Sequence, residues 1–138
     1  MTTPTVTVCL PVADRRAASR FYRSLLGREP FGAPAPDGEP EPLQFAIAEG
    51  AALMLIPTRG FGWVSAPNKP APRGRSECLL SLPVDGEDEV RARVERVEAA
   101  GGTVPKPPGR RPWGFGATVA DPDGHLWELT AGWEVGGA

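Results

Sequence analysis

Apolar and polar positions alternate in VTVCLPV (Val6–Val12): Val6, Val8, Leu10 and Val12 fall on one side, and Thr7, Cys9 and Pro11 on the other. That two-residue period predicts a half-buried strand. The period changes immediately afterwards. In ADRRAASRFYRSLLG, Ala17, Phe21 and Leu25 recur at four-residue steps, Asp14 stands where an N-cap is needed and Gly27 closes the run, so a helix is expected near Asp14–Leu26. The same succession returns later in the chain. CLLSLPV (Cys78–Val84) reads as a strand, and DGEDEVRARVERVEAAGG carries an apolar stripe of Val90, Val94, Val97 and Ala100 ended by Gly101 and Gly102, which predicts a second helix near Glu87–Ala100.

The two stretches are in register. Leu10-Pro11-Val12 matches Leu82-Pro83-Val84 at a shift of 72, and setting Gly50 against Gly124 places Met54 opposite Glu128 at a shift of 74. After each helix come two strand-like runs joined by a turn: LQFAIAEGAALMLIP (Leu43–Pro57) and GFGATVADPDGHLWELT (Gly114–Thr130). Each half therefore reads βαβββ, with a short second strand expected near Glu29–Phe31 and near Thr103–Pro105. The expected organisation is a single α+β domain of two such modules, residues 1–57 and 77–132, joined by a Pro/Gly-rich linker over residues 58–76.

Composition narrows the function. With 138 residues the chain has room for one core, and its 17 glycines and 17 prolines gather in loops between patterned segments. A net charge of −2 offers no basic footprint for nucleic acid. The N-terminus has no signal-peptide pattern and no run approaches the roughly 18 apolar residues of a membrane span, so a cytoplasmic location without membrane partners is expected. Cys9 and Cys78 are too few for a disulfide framework and read as reduced thiols.

The single histidine, His125, lies in ADPDGHLWELT, three residues before Glu128 and just after Asp121 and Asp123. Alternation sends His125, Trp127 and Leu129 to one face and Leu126, Glu128 and Thr130 to the other, so His125 and Glu128 cannot share an ion without a bulge. Asp-Pro-Asp-Gly is turn chemistry, Pro122 setting φ and Gly124 supplying positive φ. The motif is read as a turn leading into a strand, with Glu128 as the residue of chemical interest.

LPVADRRAASRFYRSLLG and DPDGHLWEL resemble the most recognisable stretches of the vicinal oxygen chelate superfamily, which includes glyoxalase, bleomycin-resistance proteins and extradiol dioxygenases. The resemblance covers nearly the whole chain. It implies paired βαβββ modules whose mixed sheets curl around a shared cavity, and frequent pairing as a homodimer. In metal-dependent members one ligand comes from the first and one from the last strand of each module, positions that here carry Thr7, Met54, Leu79 and Glu128. Only one is a carboxylate, so no metal and no other cofactor is expected.

Alternation predicts a cavity-facing set of Thr7, Cys9, Met54, Leu79, Ser81 and Glu128. No lysine or histidine is placed by pattern opposite Glu128, which makes acid–base catalysis from it a weak expectation. Aromatic residues in Gly-rich loops, Trp63 in RGFGWV and Trp113 and Phe115 in RRPWGFG, are read as walls for a planar ligand, with Arg111 beside them in a basic patch that includes Lys106 and Arg110. The expected function is a metal-free protein that binds and sequesters a planar or aromatic small molecule. Two other readings stay open: an enzyme of the same superfamily, a lyase, isomerase or dioxygenase with an unorthodox site around Glu128, and a module that works by protein association.

Overall fold

In a computed structural model, residues 5–132 are described, so the expected start of the first module, residues 1–4, lies outside them. The chain divides into two compact units, Met1–Arg73 and Gly74–Ala138. The first holds β1 (Val6–Val12), α1 (Arg15–Leu26), β2 (Leu43–Ala48), β3 (Ala51–Pro57) and α2 (Thr58–Ser65). The second holds β4 (Leu80–Pro83), α3 (Glu87–Ala99), β5 (Thr103–Arg111), β6 (Gly114–Ala120) and β7 (Leu126–Ala131). Each unit has one mixed sheet, ordered β1-β3-β2 in the first and β4-β7-β6-β5 in the second. In both, the first and last strands run parallel and the remaining neighbours antiparallel, an α+β arrangement.

The repeat inferred from sequence spacing is written in the ladders. Cys9 pairs with Met54 and Ser81 with Glu128; Gln44 pairs with Met54 and Thr118 with Glu128. The shifts of 72 for the first strand and 74 for the last two recur at the level of hydrogen-bonded partners. Gly50 and Gly124 both take positive φ, 76° and 93°, at the turns that feed β3 and β7.

The helices form for the reasons their sequences give. Asp14 accepts hydrogen bonds from the N–H groups of Arg16 and Ala17, and Gly27 closes α1 in the left-handed region at φ 64°. Phe21, Tyr22 and Leu25 are fully buried with Phe45, Leu53 and Leu55 of the first sheet. Tyr22 lies against Phe21 edge-on and against Phe45 at 6.2 Å. In the second unit Val90, Val94, Val97 and Ala100 are buried with Phe115, Ala117, Val119, Trp127 and Leu129, so α3 covers one face of its sheet.

Three features depart from the sequence pattern. No strand forms near Glu29–Phe31 among the described residues, and the first sheet has three strands where four were expected. Pro30, Pro34, Pro36 and Pro40 crowd this stretch and donate no backbone N–H, leaving one bond from Phe31 N to the Gln44 carbonyl at 2.8 Å. In the second unit the equivalent strand is long, nine residues, although it contains Pro105, Pro107 and Pro108. As an edge strand it needs a ladder on one side only, and its register shifts twice. Finally, Thr58–Ser65 of the expected linker is a helix; its two glycines and lack of an apolar stripe hid it, and the Thr58 hydroxyl fastens its start to the Val12 carbonyl at 3.2 Å.

Where the first unit lacks a strand, side chains of α1 hold the loop instead. Arg15, whose side chain is 11% exposed, donates to Asp37, to Glu41 and to the carbonyls of Glu39 and Pro40. Glu39 is itself buried and accepts from the Ser19 hydroxyl at 2.7 Å and from Arg23 at 3.0 Å. Removing one member of a buried hydrogen-bonded set costs about 1–3 kcal/mol because its partners stay buried. Glu39→Ala is expected to destabilise by about that amount, read as a lower urea midpoint with an unchanged slope. The backbone N–H of Glu39, and then Arg15, hold the Asp37 carboxyl below its ordinary value of 3.8. Its contribution is therefore complete above that value and lost as pH falls through the lower folded value. Asp37→Asn is expected to flatten this part of the acid limb in a stability–pH profile and to leave neutral-pH slopes unchanged.

The Asp121–Gly124 turn is built as its composition requires. Asp121 is 1% exposed; one carboxylate oxygen accepts from the N–H groups of Asp123 and His125, each at 2.9 Å. Its backbone N–H donates to the His125 carbonyl at 3.0 Å, and its carbonyl accepts from Gly124 N at 2.9 Å. Asp121→Ala strands two donors and is expected to cost about 1–3 kcal/mol, read as a lower denaturation midpoint.

Candidate functional site

Burial against α3 decides which residues of the second sheet are available for chemistry. Trp127 and Leu129 alternate with Leu126, Glu128 and Thr130 along β7; the first two are 2% and 0% exposed on the helix side. Glu128 consequently points to the far side. The ladders place Ser81 of β4, Glu128 of β7, Thr118 of β6 and Lys106 of β5 side by side across all four strands. Directly paired residues share a face, so these four form one polar row. Strands lie about 4.8 Å apart, which puts the Lys106 and Glu128 backbones about 10 Å from each other.

Glu128 is half-buried and Lys106 and Ser81 are exposed. Among the described residues, neither the Glu128 carboxylate nor the Lys106 ammonium has a hydrogen bond or ion pair. Two residues further along β7, Thr130 is 1% exposed and its hydroxyl has no partner. Thr130 pairs with Gly116 and Pro83, so no neighbouring side chain in its ladder can reach that hydroxyl. Polar atoms thus outnumber partners along the far side of β7.

Lys106 reaches this face through a backbone irregularity. From the β5–β6 turn, Arg111 pairs with Gly114, Arg110 with Phe115 and Gly109 with Gly116, but the next pair is Lys106 with Thr118. Continued without a break, that ladder would set Pro107 opposite Thr118 and turn Lys106 to the helix side. The bulge between Lys106 and Gly109 reverses this. Plain alternation has no signal for it, and Lys106 was accordingly not placed with Glu128 from sequence.

The other expected site residues distribute unevenly. In the first unit Thr7, Cys9 and Met54 do share one face: Cys9, Met54 and Gln44 form a cross-strand row, and Thr7 lies beside Ala52. This face is opposite the one packed on α1. Leu79 is 51% exposed and precedes β4 by one residue. Phe115 is not a loop residue. It opens the buried run of β6, is 5% exposed, and lies under the Arg91 guanidinium of α3 at 4.6 Å, on the side away from Glu128. Arg111 ends β5 and donates to the Pro107 carbonyl at 2.9 Å, while its neighbour Arg110 pairs with Glu87 of α3.

Trp113 is 48% exposed at the β5–β6 turn, and Trp63 is 85% exposed on α2. Gly114 precedes Thr118 by four strand residues, about 13 Å. Trp113 and the Glu128 row therefore stand at different levels of the sheet. A groove of about 610 Å³ in the first unit runs along α1 beside Arg16, Arg20 and Arg23, on the reverse side of that sheet from Thr7 and Met54.

The four positions at which the resemblance implies metal ligands hold a hydroxyl, a thioether, an alkyl chain and one carboxylate. Thr7 and Leu79 are exposed and Leu79 lies outside the strand. A divalent transition metal needs several N, O or S donors converging at about 2.0–2.3 Å. This donor set does not fit one, and among the described residues no three His, Cys, Asp or Glu side chains cluster.

No curated protein matches the sequence. Solved structures do. A glyoxalase-related enzyme from Fulvimarina pelagi is 27% identical, with a TM-score of 0.78 over 94% of this chain and 88% of that one. A hypothetical protein, SA1046 from S. aureus, is 25% identical with the same TM-score over 95% of each chain. A glyoxalase/bleomycin resistance protein/dioxygenase family enzyme from Burkholderia phytofirmans PsJN, 17% identical with a TM-score of 0.72 over 94% of this chain and 98% of that one, shares the fold. The sequence profile of the glyoxalase/bleomycin resistance protein/dioxygenase superfamily matches residues 5–129, and with the doubled strand register and the turn before Glu128 it establishes that the chain belongs to that superfamily.

Proposed function

We propose that the protein is a metal-free small-molecule binder that recognises a planar or aromatic ligand through Glu128. The observation that carries this reading is the carboxylate itself: half-buried, without a partner, and flanked in its row by the neutral hydroxyls of Ser81 and Thr118. A carboxylate in such surroundings gains most from a donor or cation brought by a ligand. Nothing at the neighbouring ladder positions completes a metal shell. Trp113 adds a stacking surface for ligands long enough to cover about 13 Å of sheet. Sequestration of such a ligand in the cytoplasm by a homodimer accompanies the reading.

A second reading, an enzyme that uses Glu128 as a base, is favoured by the likeness to a structure described as a glyoxalase-related enzyme and by the presence of Lys106 in the same row. The two separate by experiment. Protein purified without added metal is expected to carry well under one equivalent of Zn, Ni, Fe or Mn by elemental analysis. Tryptophan-fluorescence titration with planar aromatic amines is expected to saturate equally with and without EDTA, and Glu128→Gln to weaken binding about tenfold, about 1.4 kcal/mol. Trp113→Ala is expected to weaken only the longer ligands. Stoichiometric metal lost on Glu128→Ala, or chelator-sensitive turnover of a glutathione hemithioacetal or a catechol, would establish the enzyme instead.

A further inference from the structure

The bulge in β5 has a chemical result. It brings an unpaired cation onto the sheet face that carries an unpaired anion, with one threonine between them. The two charges do not form an ion pair with each other, since no Lys106–Glu128 contact falls within salt-bridge distance, while the Arg–acid pairs among the described residues of the second unit lie on or against α3. Edge strands commonly turn a lysine to solvent to discourage sheet-to-sheet pairing. Here the lysine stands in the same ladder row as Glu128, two strands away.

Resting on the binding function proposed above, we propose that Lys106 and Glu128 act together as the two ends of a recognition row, and that the ligand is a zwitterion carrying an ammonium group at one end and a carboxylate at the other. The spacing sets its size. With backbones about 10 Å apart and a hydrogen bond of about 2.8 Å at each end, the ligand's charge centres are separated by about 4–10 Å, longer than in an α-amino acid and suited to an aromatic ring between the two groups. Thr118, in the middle of the row, faces that ring, and Ser81 extends the polar row beyond Glu128. Each end is a charge-assisted contact that a singly charged ligand makes only once.

The test uses three probes of matched shape, 4-(aminomethyl)benzoate, benzylamine and 4-methylbenzoate, titrated calorimetrically at low ionic strength into the full-length protein. The zwitterion is expected to bind at least tenfold more tightly than either singly charged probe. Lys106→Gln should reduce its affinity to that of benzylamine without altering benzylamine itself, and Glu128→Gln should reduce it to that of 4-methylbenzoate. Both residues are at least partly exposed, so the variants are expected to keep the circular dichroism and melting temperature of the parent. In the double variant Lys106→Glu/Glu128→Lys, a ligand that reverses end for end should bind within about threefold of the parent. If Lys106→Gln leaves zwitterion affinity unchanged while Glu128→Gln still weakens amine binding, the row proposal is wrong and the binding function stands. A several-fold gain in benzylamine affinity on Lys106→Gln would show the two residues paired with each other, which also overturns it. If none of the probes and no planar amine binds, both readings fall.

Discussion

Parallel pairing of the first strand with the last governs each half of the molecule. In the second unit it sets Ser81 beside Glu128 and Leu82 beside Leu129, and the alternation of β7 then assigns every neighbour to a side. Slipping β7 by one residue would carry Glu128 under α3, among Val90, Val94 and Val97, and expel Trp127 and Leu129. An unpaired carboxylate in that layer and two large side chains in water are each costly by several kcal/mol, so the register is strongly specified. The position of the one acid on the far side follows from what the other side must bury.

The first unit solves the same packing problem with fewer strands. Its proline-rich stretch cannot supply a ladder, and the arginines of α1 replace backbone bonds with side-chain bonds to Asp37, Glu39 and Glu41 and to two carbonyls. The difference between the halves is thus one of bonding type: backbone pairing in β5, charge-assisted contacts in the loop. Charge-assisted bonds are individually stronger but respond to pH and salt, so the two halves differ in how solution conditions reach them.

Much of this was legible in the residues. Period-two alternation with Gly50 and Gly124 as anchors located the rows of Cys9, Met54, Ser81 and Glu128, and the caps at Asp14 and Gly27 located α1. Turn chemistry at Asp121–Gly124 was readable because Asp, Pro and Gly each have a fixed conformational use. What escaped notice has particular causes. Phe115 looked like a loop residue because glycines flank it, yet those glycines lie within β6, and an added Cβ at Gly116 would come to 2.8 Å from the Leu129 carbonyl oxygen. Leu79 fell just short of a four-residue strand. α2 has no apolar stripe to announce it. Lys106 depended on a shift of one residue that leaves no periodic trace.

That shift makes β5 a place where register substitutes for chemistry. Exchanging one side chain for another there alters a single position. Straightening the bulge with every residue kept would rotate everything before it, withdrawing the ammonium from the far face and presenting the ring of Pro107 in its stead, whereas losing one residue between Lys106 and Gly109 would let a regular ladder keep Lys106 opposite Thr118. Pro107, Pro108 and Gly109, which carry the extra residue, therefore govern the charge that the far face offers although none of them bears one.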